Sequence, residues 1–152
     1  MMKKLALACD HAAVDLKNHV KEYVEKRGIE VVDFGTNSYE RCDYPIYALA
    51  AANAVKDGEC DGGILFCGTG IGISLAANKV KGIRCAVVSD CYSAKLSREH
   101  NDANMLAMGT RVVGPELALL IVQHWLDAEY EYGIHVPRVA MISQIEETGK
   151  IG

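Results

Sequence analysis

The chain has 152 residues; 50% are hydrophobic and 24% are charged, which is the composition of a soluble globular protein. This length predicts one domain over residues 1–152 with a core of ordinary size. The formal charge of −4 gives no general attraction to nucleic acid or anionic membranes, and no apolar stretch approaches the roughly 20 residues that span a bilayer. Neither nucleic acid nor a membrane is therefore expected as a partner.

The first part of the chain alternates apolar runs with stretches of helical periodicity. Lys3–Cys9 predicts a first strand, and residues 12–27 carry apolar side chains at helical spacing, with Gly28 as a stop signal. Ile29–Phe34 predicts a second strand. A helix is then expected from Pro45 to about Lys56, because proline is favoured at a helix start and alanine within the helix.

The rest of the chain repeats this alternation. The predicted elements are a strand over Gly62–Phe66, a helix near Gly72–Asn78, a strand over Ile83–Ser89, a helix over about Tyr92–His100, a strand over Asn104–Ala107, and helices over Pro115–Tyr130 and about 137–147. Apolar strands that alternate with helices are typical of a parallel sheet covered on both faces. The sequence therefore predicts an α/β fold of three layers with a five-stranded parallel sheet.

In a sheet of this kind, ligands gather at the carboxyl ends of the strands. Polar residues flank most of the predicted strands: Asp10 and His11 follow the first, Tyr44 lies beyond the second, Cys67–Gly72 follow the third, His100 and Asn101 precede the fifth, and Arg111 follows it. We therefore expect these residues to converge on one site.

The most informative stretch is residues 61–73, in which Cys67 ends an apolar run and glycines stand at 68, 70 and 72. Glycine lets backbone amides approach a ligand closely, and amides that open a helix bind anions and stabilise a thiolate. The Gly-x-Gly-x-Gly spacing matches neither the phosphate-binding P-loop nor the dinucleotide fingerprint. A functional thiol beside an anion cradle is favoured over a buried structural cysteine in a tight turn.

The other cysteines and polar residues have simpler alternatives. None of the six cysteines has CxxC spacing, which argues against a zinc knuckle and favours a reduced, cytoplasmic protein. Asp10 can cap the following helix, and the cluster from His100 to Asp102 can be a solvated helix end. Arg111 and Arg138 are surface residues unless they meet at one phosphate. Three cysteines are expected to be structural: Cys9, Cys60 and Cys85.

Together these motifs resemble the sugar-phosphate isomerase family that contains the ribose-5-phosphate isomerase B type and the galactose-6-phosphate isomerase subunits. The matching stretches are Cys9–His11, Val32–Thr36, Asp43–Pro45, Cys67–Ile73, Ala76–Lys79, Gly82–Arg84, Ser97–Asn104 and Gly109–Gly114. They span nearly the whole chain, to about residue 147. Cys67 and the run Arg98–Asp102 favour the ribose 5-phosphate branch.

The resemblance implies a Rossmann-like fold, and a homodimer or dimer of dimers with sites at the subunit interface. It implies interconversion of ribose 5-phosphate and ribulose 5-phosphate through an enediolate, without a metal or another cofactor. The implied roles are as follows: Cys67 moves the proton between C2 and C1; Thr69 and the amides of Gly68, Gly70, Ile71 and Gly72 stabilise the enediolate; His100 opens the sugar ring with Asp10 nearby; Asn101 and Tyr44 position the substrate; His11, Arg111 and Arg138 hold the phosphate.

One departure from the family pattern leaves the substrate open. Close relatives often carry Gly-Gly-Arg-His-x-x-Arg where this chain has residues 132–138, so Ile134 replaces the first arginine. Either the remaining phosphate contacts suffice, or the substrate is a hexose 6-phosphate such as allose 6-phosphate, or another pentose phosphate. A non-catalytic sugar-phosphate-binding module is a third alternative, but it would not need Cys67, Asp10 and His100 together.

Overall fold

A computed structural model describes all residues from Met1 to Gly152, and it confirms the predicted fold class. Five parallel strands form one sheet in the order β2-β1-β3-β5-β4. The strands are β1 (Lys4–Cys9), β2 (Glu30–Asp33), β3 (Gly62–Cys67), β4 (Cys85–Val87) and β5 (Met105–Gly109). The helices are α1 (Val14–Lys26), α2 (Tyr44–Lys56), α3 (Ile71–Ala77), α4 (Cys91–Glu99), α5 (Pro115–Asp127) and α6 (Val136–Thr148), with 3-10 turns at His11–Ala13 and Gly133–His135.

The two faces of the sheet form two apolar clusters because side chains alternate along each strand. Phe66 and its neighbours on one face pack with residues of α1 and α5, whereas Cys67 belongs to the cluster on the face of α2 and α3. The register pairs Cys9 with Phe66 and Cys67 with Gly109. The residues that follow β1, β3 and β5 are therefore brought to one edge of the sheet, which we call the carboxyl edge.

Four predicted elements have a boundary that is wrong by more than one residue; one is the strand predicted over Asn104–Ala107, since β5 continues to Gly109. The first helix begins with a 3-10 turn at His11–Ala13 before α1, because Asp10 caps that turn. The strand predicted over Ile83–Ser89 shrinks to Cys85–Val87, which lies at the sheet edge and pairs with β5 alone. The helix predicted to reach Tyr130 ends at Asp127, since Ala128 adopts an extended conformation (φ −82°, ψ 147°).

Helix α6 buries none of its residues and lies on the outside of the domain. Its Glu146 carboxylate accepts a hydrogen bond from the Gly82 amide at 2.9 Å, and Lys81 forms an ion pair with Glu147 at 3.5 Å. A groove of about 600 Å³ remains between α6 and the body, lined among others by Ile83, Cys85, Ile142 and Ile145. None of the helices is long and apolar enough to cross a membrane.

Candidate active site

Cys67 lies at the end of β3 with 5% of its surface exposed. The backbone N–H of Gly70 donates a hydrogen bond to its Sγ atom at 3.1 Å. Thr69 completes the loop, and its hydroxyl oxygen accepts the N–H of Ile71 at 3.3 Å. One amide of the glycine loop therefore contacts the sulfur directly before α3 begins.

Two glycines make this loop geometry possible. Gly70 has φ +80°, and a Cβ at this position would lie 2.7 Å from the carbonyl carbon of Met108. A Cβ on Gly109 would lie 2.5 Å from the backbone of Thr69. The loop after β3 therefore lies directly on the end of β5, and any side chain at either glycine would push the two apart.

Tyr44 and Arg111 flank the loop. A Cβ on Gly72 would lie 2.6 Å from the ring of Tyr44, which is the first residue of α2. A Cβ on Gly68 would lie 2.9 Å from the guanidinium of Arg111, and the Arg111 amide donates to the carbonyl oxygen of Gly68 at 3.0 Å. The glycines at 68 and 72 therefore leave room for an aromatic ring and a cation against the loop.

Asp10 and His11 follow β1 at the same edge. Asp10 is 6% exposed, and its Oδ1 atom accepts the N–H of Ala12 at 3.0 Å, so the predicted capping role is present. The Nδ1 atom of His11 accepts the N–H of Cys42 at 3.2 Å. Because Nδ1 accepts, Nε2 carries the ring hydrogen of the neutral imidazole and can donate it to a ligand.

A buried lysine that sequence analysis missed supports this edge. Lys17 on α1 is fully buried; its Nζ atom forms an ion pair with Asp33 at 2.7 Å and donates to the carbonyl oxygen of Thr36 at 3.0 Å. Thr36 in turn donates its N–H to the carbonyl oxygen of Cys9 at 3.3 Å. Lys17 therefore fastens the segment after β2 to the end of β1, directly before Asp10.

The six cysteines are all free thiols, but their surroundings differ. Burial raises the pKa of Cys9 to about 12, partly offset by Lys17, and burial also raises the pKa of Cys85 to about 12. The pKa of Cys60 is raised mainly by burial. These three cysteines remain neutral at ordinary pH, in agreement with the structural role predicted for them.

His100 and Asn101 lie at the opposite edge, so the expected convergence on one site does not occur within the chain. His100 caps the end of α4, and the segment from Asn101 leads to Asn104, whose carbonyl oxygen accepts the N–H of Gly63 at 3.1 Å. Gly63 and Cys67 are separated by four residue steps on β3, or about 13 Å at 3.3 Å per residue. The reason is directional: a residue that precedes a parallel strand lies at its amino end. We call this the amino edge.

The remaining predicted residue, Arg138, is exposed on the first turn of α6 and makes no hydrogen bond or ion pair. It follows His135, whose ring stacks on that of His100 with centroids 4.2 Å apart. Arg138 therefore belongs with the amino-edge residues rather than with His11 and Arg111.

The chain thus carries two sets of candidate residues. The carboxyl edge holds Asp10, His11, Tyr44, Cys67, Gly68, Thr69, Gly70, Ile71, Gly72 and Arg111; the amino edge and its neighbouring segment hold His100, Asn101 and Arg138. Cys67 does not line any of four cavities found in the chain.

Sequence analysis did not single out Glu131 and His135 as site residues. The Glu131 carboxylate lies 3.7 Å from His100 Nε2 and 3.8 Å from His135 Nε2. The available signal was weak: two residues four apart, one acidic and one histidine, in the loop that leads to α6. Only the fold of this loop against the end of α4 brings them to His100.

The fold and the carboxyl-edge residues together define an α/β protein with a thiol and a glycine loop at the carboxyl ends of its central strands, the usual ligand position of such sheets. Over residues 5–142 the sequence matches the model of the family described as Ribose/Galactose Isomerase. The chain belongs to this family. It is therefore an aldose–ketose isomerase, which confirms the reaction class that the motifs predicted.

Individual relatives agree along nearly their whole length. The chain is 58% identical over 146 residues to ribose-5-phosphate isomerase B of Escherichia coli, covering 96% of this chain and 98% of the relative. It is 45% identical to D-erythrulose-4-phosphate isomerase of Pectobacterium atrosepticum, covering 98% and 99%. The solved structure of ribose-5-phosphate isomerase B from Clostridium thermocellum is 54% identical, with a TM-score of 0.94 over 97% of this chain and 99% of that one.

Proposed function

We propose that this protein interconverts D-ribose 5-phosphate and D-ribulose 5-phosphate through an enediolate, with Cys67 as the base. The observation that carries the proposal is the N–H of Gly70 at 3.1 Å from Cys67 Sγ, in a glycine loop that leads into α3. The similarity to ribose-5-phosphate isomerase B of Escherichia coli, at 58% identity, supports the choice of a pentose phosphate.

The chemistry is a proton transfer between two neighbouring carbons. In the open-chain aldose, the C1 carbonyl acidifies the hydrogen on C2; the Cys67 thiolate takes that proton, the electron pair forms the C1–C2 double bond, and the carbonyl oxygen becomes an oxyanion. The proton of the C2 hydroxyl passes to the O1 oxyanion, and the resulting thiol returns its own proton to C1 as the C2 carbonyl forms. A positioned base contributes about 10²–10⁴-fold to such a step.

The developing negative charge needs donors that are already in place. The glycine loop would supply the N–H groups of Gly68 and Gly72. The Thr69 hydroxyl oxygen accepts the N–H of Ile71 and donates no hydrogen bond within the chain, so its hydrogen is available to the oxyanion. One preorganised donor of this kind is worth roughly 2.7–4 kcal/mol in a protease oxyanion hole. Several donors on one rigid loop therefore account for a large part of the barrier reduction.

Four groups at the carboxyl edge would position the substrate. His11 can donate from Nε2, and the Arg111 guanidinium lies against Gly68, so both can hold a phosphate. Asp10 uses Oδ1 to cap the turn after β1, which leaves Oδ2 for a sugar hydroxyl. Tyr44, with its ring against Gly72, would limit the depth of the site.

We further propose that the protein is a homodimer in which the amino edge of one protomer completes the carboxyl edge of the other. His100 would then open the sugar ring, Asn101 would position it, and Arg138 would join the phosphate contacts of the partner site. The opposite placement of His100 and Cys67 within one chain supports this arrangement. Exposed apolar side chains on two adjacent helices supply a surface for it: Ile46 and Leu49 on α2, and Ile71 and Leu75 on α3.

The decisive measurement is turnover of ribose 5-phosphate beside allose 6-phosphate at matched concentrations. We expect the larger kcat/KM for the pentose phosphate, together with incorporation of solvent deuterium at the transferred position. A larger kcat/KM for the hexose would assign the enzyme to six-carbon substrates. Tight binding of both sugars without isotope exchange would leave only a binding module and would refute the proposed reaction.

A hexose 6-phosphate is the second candidate because of Ile134. Its side chain is 69% exposed and uncharged, at a position where the family pattern often has an arginine. Loss of one charge-assisted contact is worth roughly 1.5–3 kcal/mol, enough to weaken phosphate binding without abolishing turnover. The family description covers both ribose and galactose isomerases, so the fold accommodates both chain lengths. The substitution Ile134→Arg should improve KM for the true substrate and leave kcat nearly unchanged.

A further inference from the structure

Three side chains at the end of α4 point at one small volume. His100 and Glu131 approach to 3.7 Å and His135 and Glu131 to 3.8 Å, and one ligand atom from each residue lies within 4.8 Å of the other two. The two imidazole rings are stacked with an angle of 13° between their planes. The Nε2 atoms of His100 and His135 therefore both lie beside the same oxygen of Glu131.

These groups are gathered without bonding to one another. Separations of 3.7 and 3.8 Å are too long for hydrogen bonds, and none of the three side chains donates or accepts one elsewhere in the protein. The backbone nevertheless fixes their proximity, because the Glu131 N–H donates to the carbonyl oxygen of Glu99 at 2.9 Å. The cluster therefore has fixed backbone positions and side chains with unused donor and acceptor capacity.

The dimensions suit a metal ion. Two edges of the triangle of ligand atoms measure 3.7 and 3.8 Å and the third is no longer than 4.8 Å, so its centre lies within about 2.4 Å of each corner, against 2.0–2.2 Å for zinc–nitrogen and zinc–oxygen bonds. Because the rings are stacked and each nitrogen lone pair lies in its ring plane, one imidazole must turn to bring both nitrogens onto one ion; the His100 and Glu131 side chains, 38% and 54% exposed, have room to adjust. Two imidazoles and one carboxylate leave a fourth tetrahedral position for water or a ligand oxygen.

The geometry points to a binding site for a borderline-soft divalent cation such as Zn²⁺ or Ni²⁺, formed by His100, Glu131 and His135. Imidazole ligands select these ions over Mg²⁺ and Ca²⁺, which prefer all-oxygen sites. A bound ion would occupy the His100 imidazole and stop it from exchanging protons with a sugar. The cation is therefore an inhibitor of the isomerase; this consequence, unlike the binding itself, rests on the role proposed for His100.

Binding is tested on the full-length protein, freed of metal with a chelator, by titration with Co²⁺ as a spectroscopic probe and with Zn²⁺ by competition. We expect one site per chain with a visible cobalt spectrum and no thiolate charge-transfer band. Glu131→Gln and His135→Gln should each weaken binding by on the order of a hundredfold. The matched controls Glu129→Gln and His124→Gln, which change nearby residues outside the cluster, should leave affinity unchanged.

Other outcomes would overturn the site. A thiolate band would move the metal to a cysteine, either Cys67 or the pair of Cys42 and His11, whose Sγ and Nδ1 atoms lie 3.8 Å apart. Equal affinity of Glu131→Gln, His135→Gln and the wild type would also refute it.

Inhibition is measured separately, with each variant compared with its own metal-free rate. Zn²⁺ should inhibit the wild type reversibly, with activity restored by chelator, and His135→Gln should raise the half-inhibiting concentration at least tenfold. Cobalt or zinc bound at the three residues without loss of turnover would refute the inhibitory role and the catalytic use of His100, while the binding site would stand. Failure of the isomerase reaction itself would leave the spectroscopic result intact.

Discussion

The two edges of the sheet hold their polar groups in different ways. At the carboxyl edge, Cys67 and Asp10 are almost completely buried, and each accepts a hydrogen bond from a backbone N–H. At the amino edge, the His100 side chain is 38% exposed and makes no hydrogen bond. One half of the candidate site is therefore rigid within a single chain, and the other half has a fixed backbone but free side chains.

The difference follows from what builds each edge. The carboxyl edge is made of strand ends in register, with Gly70 and Gly109 in backbone contact. The amino-edge groups come from the residue that caps the end of α4 and from the loop after α5, which contains Tyr132 with φ +58°. Strand ends suit donors that must not move during catalysis, whereas helix ends and loops suit groups whose final geometry is set by a partner.

The largest effect is expected from a substitution at the carboxyl edge, the rigid half of the candidate site. Cys67→Ala should reduce kcat by about 10²–10⁴-fold, since it removes the proposed base while the glycine loop remains. The variant should keep its far-ultraviolet circular dichroism spectrum. The matched control is Cys60→Ala, which removes another buried thiol from the same apolar cluster and should retain kcat. Near-normal turnover of Cys67→Ala would rule out Cys67 as the base.

Mixing variants tests whether the two edges meet across a subunit interface. Cys67→Ala and His100→Asn are each expected to be almost inactive alone. After unfolding and refolding together in equal amounts, half the dimers are mixed, and each has one site with both native residues, so about a quarter of wild-type activity should return. No recovery in confirmed mixed dimers would place both residues of a working site in one chain.

Strand β2 offers the next comparison, because an ion pair stands at each end. At the carboxyl end Lys17 is fully buried and the Asp33 side chain is 13% exposed, whereas at the amino end Lys4 and Glu30, 3.3 Å apart, are 33% and 66% exposed. Lys17→Met should cost roughly 3–5 kcal/mol of unfolding free energy by leaving the largely buried Asp33 carboxylate without its cation. Lys4→Met should cost under about 1 kcal/mol. Urea denaturation measures both; equal losses would contradict the difference between the edges.

The sequence predicted the carboxyl edge well for a physical reason. The central strands β1 and β3 are apolar runs closed by Cys9-Asp10 and Cys67-Gly68, so burial fixes both the strand and the place where it ends. Glycines at alternate positions then indicate a close backbone approach, which Gly70 confirms with its positive φ.

The amino edge was predicted less well because distant segments determine it. His100 precedes a strand of a parallel sheet, so it must lie at the amino end of that strand, opposite Cys67. The order of the elements in the sequence already indicated this, but the prediction that all polar residues converge on one site did not take it into account. Lys17 could not be identified as buried, because the pattern of apolar residues in its helix does not distinguish a buried lysine from a surface lysine. Only the position of Asp33 in the fold shows that Lys17 has a partner in the interior. Glu131 reaches His100 only because α5 ends three residues earlier than its apolar pattern predicts.

A substitution of Arg111 tests whether the carboxyl edge binds the phosphate of the substrate. Arg111→Gln should raise KM for the sugar phosphate by roughly 10–100-fold, equivalent to a charge-assisted contact of about 1.5–3 kcal/mol, with a smaller change in kcat. The control is Arg27→Gln, which removes an arginine paired with Asp127 away from the loop and should leave KM unchanged. If kcat fell and KM stayed constant, Arg111 would act on the transition state instead of the phosphate.

The smallest expected effect is on the pH dependence of the free energy of unfolding, and it tests how well the carboxyl edge excludes water. Burial raises the pKa of Cys9, at the end of β1, from 9.0 to about 12. Above pH 9 the unfolded chain loses this proton while the folded chain keeps it. The free energy of unfolding should therefore fall by about 1.4 kcal/mol per pH unit for this thiol, starting near pH 9 and ending near pH 12, with no effect below pH 9.

Cys9→Ala should remove that part of the slope, while the part due to Cys85, whose pKa is also raised to about 12 by burial, remains. Val20→Ala, a buried substitution without an ionisable group, should lower stability and leave the slope unchanged. Denaturant titrations between pH 8 and pH 10 distinguish the two variants, because both lose packing but only one loses a proton-linked group. An unchanged slope in Cys9→Ala would mean that this thiol ionises equally in the folded and unfolded chain, and the carboxyl edge would then be more accessible to water than its buried side chains indicate.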